Sequence, residues 1–426
     1  MADVRPFRAV RFNPNLDMST AVSPPFDTIP PQLQRELYER SSHNSVRIEL
    51  AEGEGDARYE NAARTLREWL TDGTLRRDGM PAFYLLQQTF SHGERSYTRT
   101  LLFGRLRVVP WSQGSVLPHE QTFPKHKDDR LRLMRAAHVN ASPVFLFYRE
   151  NALVEGQLRL VEATQPPIAD FDAPDGQHYR LFRIDAPIDV DAIQRHLAEE
   201  TLYVADGHHR YETALNYRDE VRAQRAEWTG DEPENFALVG LVAANDPGLL
   251  VLPTHRVTSS AAPWVEVRSA LEAFFDVEPF EGDAESLTIE LAARHVSEIG
   301  FAAKDADTLF VLTPKETHVI DHLLPQDRSP AWRALDYAIC DYVVMRHCVG
   351  LSEEQTKDQS VLWFTEDAVE AVRQVREGKA TYAVLLNPVP VHRVLELADA
   401  GDRMPQKSTF FYPKVPAGLV FNLLED

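Results

Sequence analysis

A short strand, Leu202-Tyr203-Val204, runs through Ala205 and Asp206 into Gly207, and a helix begins at once with His208. β-Branched and aromatic residues suit an extended chain, and glycine permits the abrupt change of direction. Tyr211, Ala214 and Leu215 then recur at helical spacing and mark the side that packs inward. A strand feeding directly into a helix predicts layered α/β structure. Near residue 90 the pattern is different. Residues 83–90 and 97–109 read as two strands of an antiparallel hairpin turning at Ser91-His92-Gly93-Glu94. Mixed sheets with flanking helices accommodate both patterns, so the expected fold class is α/β to α+β.

Other segments are read the same way. Residues 7–12 predict a strand, and Ser23-Pro24-Pro25-Phe26-Asp27 a stiff, extended loop. Helices are predicted over 31–40 and 57–72, with a polar turn running into a strand over 42–48 between them. A helix over 128–138 takes Asp128 as its cap. Strands at 144–148 and 237–243 and a helix over 190–200 complete the first region. Small residues and a proline at 259–263 mark a boundary, giving two α/β regions, 1–258 and 259–426. Cys340 and Cys348 lie in an apolar stretch, 337–349, that predicts a helix, so buried reduced thiols are expected.

Charge narrows the partners. Forty-five basic and 65 acidic side chains give a formal charge of −20, a field that opposes a nucleic-acid backbone. A small anionic metabolite or nucleotide needs only a local basic pocket. The opening residues lack the apolar core of a signal peptide, and no apolar run reaches the ~20 residues that span a bilayer. A cytoplasmic protein without a membrane partner is expected.

The richest chemistry lies at Asp206-Gly207-His208-His209-Arg210. The first amides of a helix carry the positive end of its dipole, and a glycine lets an anion approach them closely. Arg210 adds a planar fork suited to phosphate or carboxylate. Asp206, His208 and His209 are candidate catalytic groups, and Asp206 is also a candidate Mg²⁺ ligand. Glu212, one turn beyond His208, is placed to orient its ring. A second candidate is His119-Glu120, followed by Lys125-His126-Lys127, in which Glu120 has the chemistry of a general base. A third is Lys407-Ser408-Thr409 with Lys414, a polar and aromatic alternation that predicts a strand with hydroxyl and ammonium groups on its open face. His255 and Arg256 follow a strand end, where α/β sheets collect ligands. Asp27, His43, Asn44 and Arg47 are weaker candidates. The sequence has no helical His-Glu-x-x-His, no nucleophile elbow, no dinucleotide-binding glycine pattern and no P-loop.

Taken in order, several of these motifs resemble one family. Arg5-Pro6-Phe7, Pro24-Pro25-Phe26-Asp27, His43-Asn44, His119-Glu120, the run from Ala205 to Tyr211, Leu252-Pro253-Thr254-His255-Arg256 and Met404 to Thr409 look like the bacterial and archaeal domain of unknown function 1015 family. The pair His119-Glu120 and Asp206 to Arg210 is similar, more distantly, to motifs of the ParB/sulfiredoxin-like superfamily, including its free-serine kinases. That resemblance implies a ParB-like core, with Glu120 as base and Asp206 to Arg210 receiving nucleotide phosphates. Mg²⁺ with ATP or ADP is the implied cofactor. The implied activity is phosphotransfer, kinase or phosphatase-like, on a small hydroxylated or phosphorylated metabolite such as serine or phosphoserine. The alternative is a non-catalytic nucleotide-binding regulator that switches partner contacts or the contacts of a homodimer.

Overall fold

The structure, a computed structural model, describes residues 1–120, 125–294 and 297–425, with the side chains at 125–127, 317 and 318 outside the description. The basic run at 125–127 therefore lies outside the described side chains. The chain divides into two compact units. One comprises Met1–Pro118, Thr122–Leu250 and Pro413–Asp426, and the other His119–Gln121 and Val251–Tyr412. The break falls before Val251, and two short segments cross between the contiguous regions read from sequence.

In the first unit nine of the described strands form one sheet. They are β1 (Val4–Arg5), β2 (Phe83–His92), β3 (Arg95–Arg107), β4 (Val116–Leu117), β5 (Val144–Tyr148), β6 (Ala169–Asp172), β7 (His178–Ile184), β8 (Leu202–Asp206) and β9 (Phe236–Ala243). The order is β4-β8-β5-β9-β3-β2-β7-β6, with β1 also on β3. β8 runs parallel to β4 and β9 parallel to β5, while the remaining pairs are antiparallel. Both sequence patterns are thus present in one mixed sheet. Every residue of β9 is buried, as its unbroken apolar run requires of a strand covered on both faces.

Helices α1 (Ala57–Thr71), α2 (Lys125–Ala137) and α3 (His208–Gln224) flank this unit's core. Tyr211, Ala214 and Tyr217 of α3 pack with Leu202 and Val204 of β8, which fixes the helix against the strand that precedes it. Each fully buried large side chain of this kind contributes about 1.5–3 kcal/mol. Tyr211 also ties α3 to the loop after β3, its hydroxyl donating to the Val109 carbonyl and accepting from the Val109 amide, both at 2.9 Å.

The second unit contains an antiparallel six-stranded sheet. Its strands are β10 (His255–Thr258), β11 (Phe275–Phe280), β12 (Ile299–Ala303), β13 (Leu309–Pro314), β14 (Leu362–Thr365) and β15 (Tyr382–Leu385), in the order β11-β13-β12-β15-β10-β14. Leu287 and Leu291 of α4 (Ala284–Ala293) and Ala371 and Val375 of α5 (Ala368–Arg376) pack in its core with Val257. No described helix is long and apolar enough to cross a membrane.

Local departures from the sequence reading have local causes. The strand expected over 7–12 forms only over its last three residues. Val4–Arg5 and Val10–Phe12 are separate strands, and Phe7 makes only an isolated bridge with Ala82. The strand expected to end at Ile48 is instead a helical turn, Val46–Glu49. The Asn44 carboxamide accepts from the Val46 amide at 3.0 Å and donates to the Thr20 and Val22 carbonyls, so side-chain chemistry overrides two β-branched residues. Helix α2 starts at Lys125, which leaves Asp128 in its first turn, paired with Arg132 at 2.7 Å, rather than at its cap. The helix read over 337–349 is α-helical only over Asp336–Ile339 and then a π-helix, Cys340–Cys348, with both thiols free and buried.

Candidate functional site

The junction of β8 with α3 is built by a bulge and a glycine. Val204 pairs with Leu146 but Asp206 pairs with Phe145, so β8 carries an extra residue that turns the strand as it ends. Gly207 follows at φ +90°, in the left-handed region, and occupies the cap position of α3, where no side chain caps the helix. A Cβ at Gly207 would come within 2.8 Å of Arg210 Nε and 2.9 Å of its Cζ. The guanidinium therefore lies directly against the glycine. It donates to Asp206 Oδ2 at 2.8 Å and to the Pro143 carbonyl. Lys414 Nζ approaches the other oxygen, Asp206 Oδ1, at 3.4 Å. The Gln88 carboxamide donates to the Lys414 carbonyl at 3.3 Å, fixing the lysine's backbone.

One carboxylate thus sits between two cations at the positive pole of a 17-residue helix. The three side chains keep only 22%, 10% and 18% of their surface for Asp206, Arg210 and Lys414. His208 is buried and His209 half-buried. The Glu212 carboxylate accepts from Trp111 Nε1 at 3.0 Å. Asp206 does not fit the role of Mg²⁺ ligand in this arrangement, because both of its oxygens face cations. Among the described residues no group of three histidine, cysteine or acidic side chains is placed to hold a metal. The donor set suits an anion.

Asp27, His43, Asn44 and Arg47 lie in the first unit, and His119, Glu120, His255, Arg256 and Lys407 to Thr409 in the second. Glu120 is half-buried, and its Oε1 accepts from the Ser408 amide (3.3 Å), the Thr409 amide (3.3 Å) and the Thr409 hydroxyl (3.0 Å). Buried His119 shares the Thr409 hydroxyl at 2.9 Å. Ser408 is not on an open face. It is fully buried, its hydroxyl donating to the Pro405 carbonyl at 2.6 Å. The strand is short, Phe410–Tyr412, because Lys407 sits at φ +54° and breaks the extended run. Arg256 is fully buried. It pairs with Asp341 at 3.1 Å, donates to the Thr254, Gln406 and Lys407 carbonyls, and lies between the rings of Tyr337 and Phe364. All of its donors face inward, the geometry of an internal clamp.

His255 is also internal. Its Nδ1 accepts from the Leu386 amide at 3.1 Å, and burial, reinforced by Arg256, pulls its pKa down to about 4. The unfolded histidine protonates near 6.5, so between pH 6.5 and 4 the unfolded chain binds a proton that the folded chain refuses. Stability is therefore expected to fall through that window, by up to about 3 kcal/mol, and to level off below it. Urea unfolding at pH 7, 5.5 and 4.5 measures this, and His255→Phe should flatten that component of the curve.

Sequence reasoning missed the groups buried beside the junction. Glu49 is 1% exposed and lies one residue beyond the segment 42–48 read as a turn and strand. A carboxylate flanked by Ile48 and Leu50 was the available signal. Arg99 is fully buried over the ring of Phe145, with Nε and Nη1 lacking hydrogen-bond partners. Nothing in an alternating strand sequence marks it.

A family model described as a protein of unknown function, DUF1015, matches residues 4–338, most of the chain and all of the β8–α3 junction. The chain belongs to the DUF1015 family. No curated protein matches it. Solved structures similar to this DUF1015 protein include a conserved hypothetical protein from Pyrococcus furiosus, at 13% identity and TM-score 0.36, covering 72% of this chain and 92% of the other. Free serine kinase in complex with AMP is 12% identical at TM-score 0.34, over 70% of this chain and 83% of its own. SbnI with a C-terminal truncation, from Staphylococcus aureus, is 10% identical at TM-score 0.32, over 74% and 87%. Superposition at these scores assigns no role to any residue of the DUF1015 protein.

Proposed function

We propose that the β8–α3 junction receives the phosphate groups of a nucleotide such as ATP or ADP, and that the protein transfers or removes phosphoryl groups on a small hydroxylated or phosphorylated metabolite. The observation that carries this reading is the placement of Arg210 and Lys414 on the two oxygens of Asp206, at the glycine-opened pole of α3. Two cations meet one acid beside backbone amides, and the missing Cβ at Gly207 lets the Arg210 guanidinium close on the turn. Phosphoryl transfer asks mainly for positioning and neutralisation of spreading negative charge, which such a pole supplies. Asp206 acts in this reading as the group that orients both cations. His209, half-buried on the first turn, is the candidate for proton transfer at the bound phosphate.

Lys414→Met removes one cation and leaves the Arg210 pair in place. Incubation with radiolabelled ATP, Mg²⁺ and a panel of small hydroxylated metabolites that includes serine is expected to give a labelled product. The variant should lose roughly 10²-fold in rate, the scale of removing one charge-stabilising donor. Tight nucleotide binding with no labelled product and no hydrolysis would instead favour a regulatory nucleotide-binding protein.

A further inference from the structure

Beside the junction, with Arg210 in its lining, lies a cavity of about 40 Å³ within the first unit. At roughly 10–15 Å³ for one water, it has room for about three. Its apolar wall includes Leu133, Met134 and Val144. Its polar lining divides into satisfied and unsatisfied groups. Asn140 accepts from the Leu238 amide and from Asn422, each at 3.0 Å, and Ser142 donates to Glu49 Oε1. Glu49 Oε2 and Thr213 Oγ1 are buried and have no hydrogen-bond partner. Buried polar atoms in folded proteins are almost always paired, so two orphans on one small cavity mark a missing donor. Arg130 does not provide it. Its nearest approach to the Glu49 carboxylate is 3.9 Å, on Oε1, and its guanidinium is committed to Asp129 and the Glu49 carbonyl. Thr213 stands one helical turn after Arg210 on α3, so the cavity and the helix pole share that turn.

We propose that this cavity takes the hydroxyl- or ammonium-bearing end of a small organic phosphate, donating to Glu49 Oε2 and pairing with Thr213 Oγ1, while the anionic end reaches the pole of α3. The inference deepens the phosphotransfer reading and rests on it for the anionic end alone. It sets the substrate class as a short alcohol or amine joined to a phosphate, with its carbon atoms against the apolar wall. Glu49 and Thr213 become specificity-determining residues for the end of the molecule that is not phosphorylated.

Calorimetric titration of the full-length protein tests this with five probes: inorganic phosphate, O-phosphoethanolamine, glycerol 3-phosphate, ethanolamine and glycerol. Either organic phosphate is expected to bind roughly tenfold or more tightly than inorganic phosphate, that is by at least one contact's worth of affinity. Whichever of the two binds better identifies the donor as ammonium or hydroxyl. Glu49→Gln should abolish the advantage and leave the affinity for inorganic phosphate unchanged, and the near-isosteric Thr213→Val should reduce it. Failure of the pole reading looks different: inorganic phosphate would not bind, yet ethanolamine or glycerol would still bind in a Glu49-dependent way. The cavity proposal is overturned if both variants retain the full advantage, or if no organic probe shows Glu49-dependent binding, the outcome for a cavity that holds water only.

Discussion

Replacing Gly207 with alanine is expected to destabilise the first unit by about 2.5–5 kcal/mol and to abolish anion binding at α3. Two costs add. At φ +90° a side chain strains the backbone by about 1–2 kcal/mol. The new Cβ would also lie 2.8–3.0 Å from Arg210 Nε, Cζ and Nη2, and so must displace the guanidinium. The far end of a flexible arginine often moves cheaply, but this one is 10% exposed and bonded to Asp206 and to the Pro143 carbonyl. Losing a hydrogen bond to a charged group costs about 1.5–3 kcal/mol more. Denaturant unfolding of Gly207→Ala and Gly207→Asn separates the two contributions. Asparagine tolerates the left-handed region but brings the same Cβ, so most of the loss should persist in it.

Arg256→Met is expected to cost the second unit about 3–5 kcal/mol, because removing one partner of a buried pair leaves the other uncompensated. The methionine fills space between Tyr337 and Phe364, but Asp341 loses its counter-charge and three carbonyls lose a donor. Arg256→Lys should recover little of this, since one ammonium cannot reproduce a planar fork serving a carboxylate and several carbonyls. The measurable corollary is that Arg256→Met, assayed well below its unfolding midpoint, binds ADP as the wild type does. A specific loss of nucleotide affinity in the folded variant would return Arg256 to the ligand-binding set.

The strand, turn and helix around Gly207 were legible in sequence because local chemistry dictates them. A β-branched run, a glycine and an inward stripe of Tyr211 and Ala214 lead to the same answer by propensity and by packing. The mixed sheet was legible for a similar reason, from a hairpin pattern near residue 90 and a strand-helix pattern near residue 200. What the sequence hid was partnership across long separations. Lys414 reaches Asp206 from the far end of the chain, and Glu120 is held by Ser408 and Thr409. No periodicity encodes such contacts. Arg256 and His255 sit in a ligand-like sequence context, yet their burial turns the same chemistry to internal use. Glu49 was missed because Asn44 folds the segment before it into a helical turn, a choice made by one carboxamide rather than by the pattern of apolar residues.

The reading depends on where an anion lands, and backbone amides report that directly. With ¹⁵N-histidine labelling, the chain's 15 histidines give separate amide signals, and His208→Asn and His209→Asn identify the two at the start of α3. Titration with ADP is expected to shift the His208 and His209 amides most, and Lys414→Met should weaken the response by roughly tenfold in ADP concentration. ADP that binds while those two signals stay still, with the largest shifts at histidines elsewhere, would contradict a phosphate site at this helix.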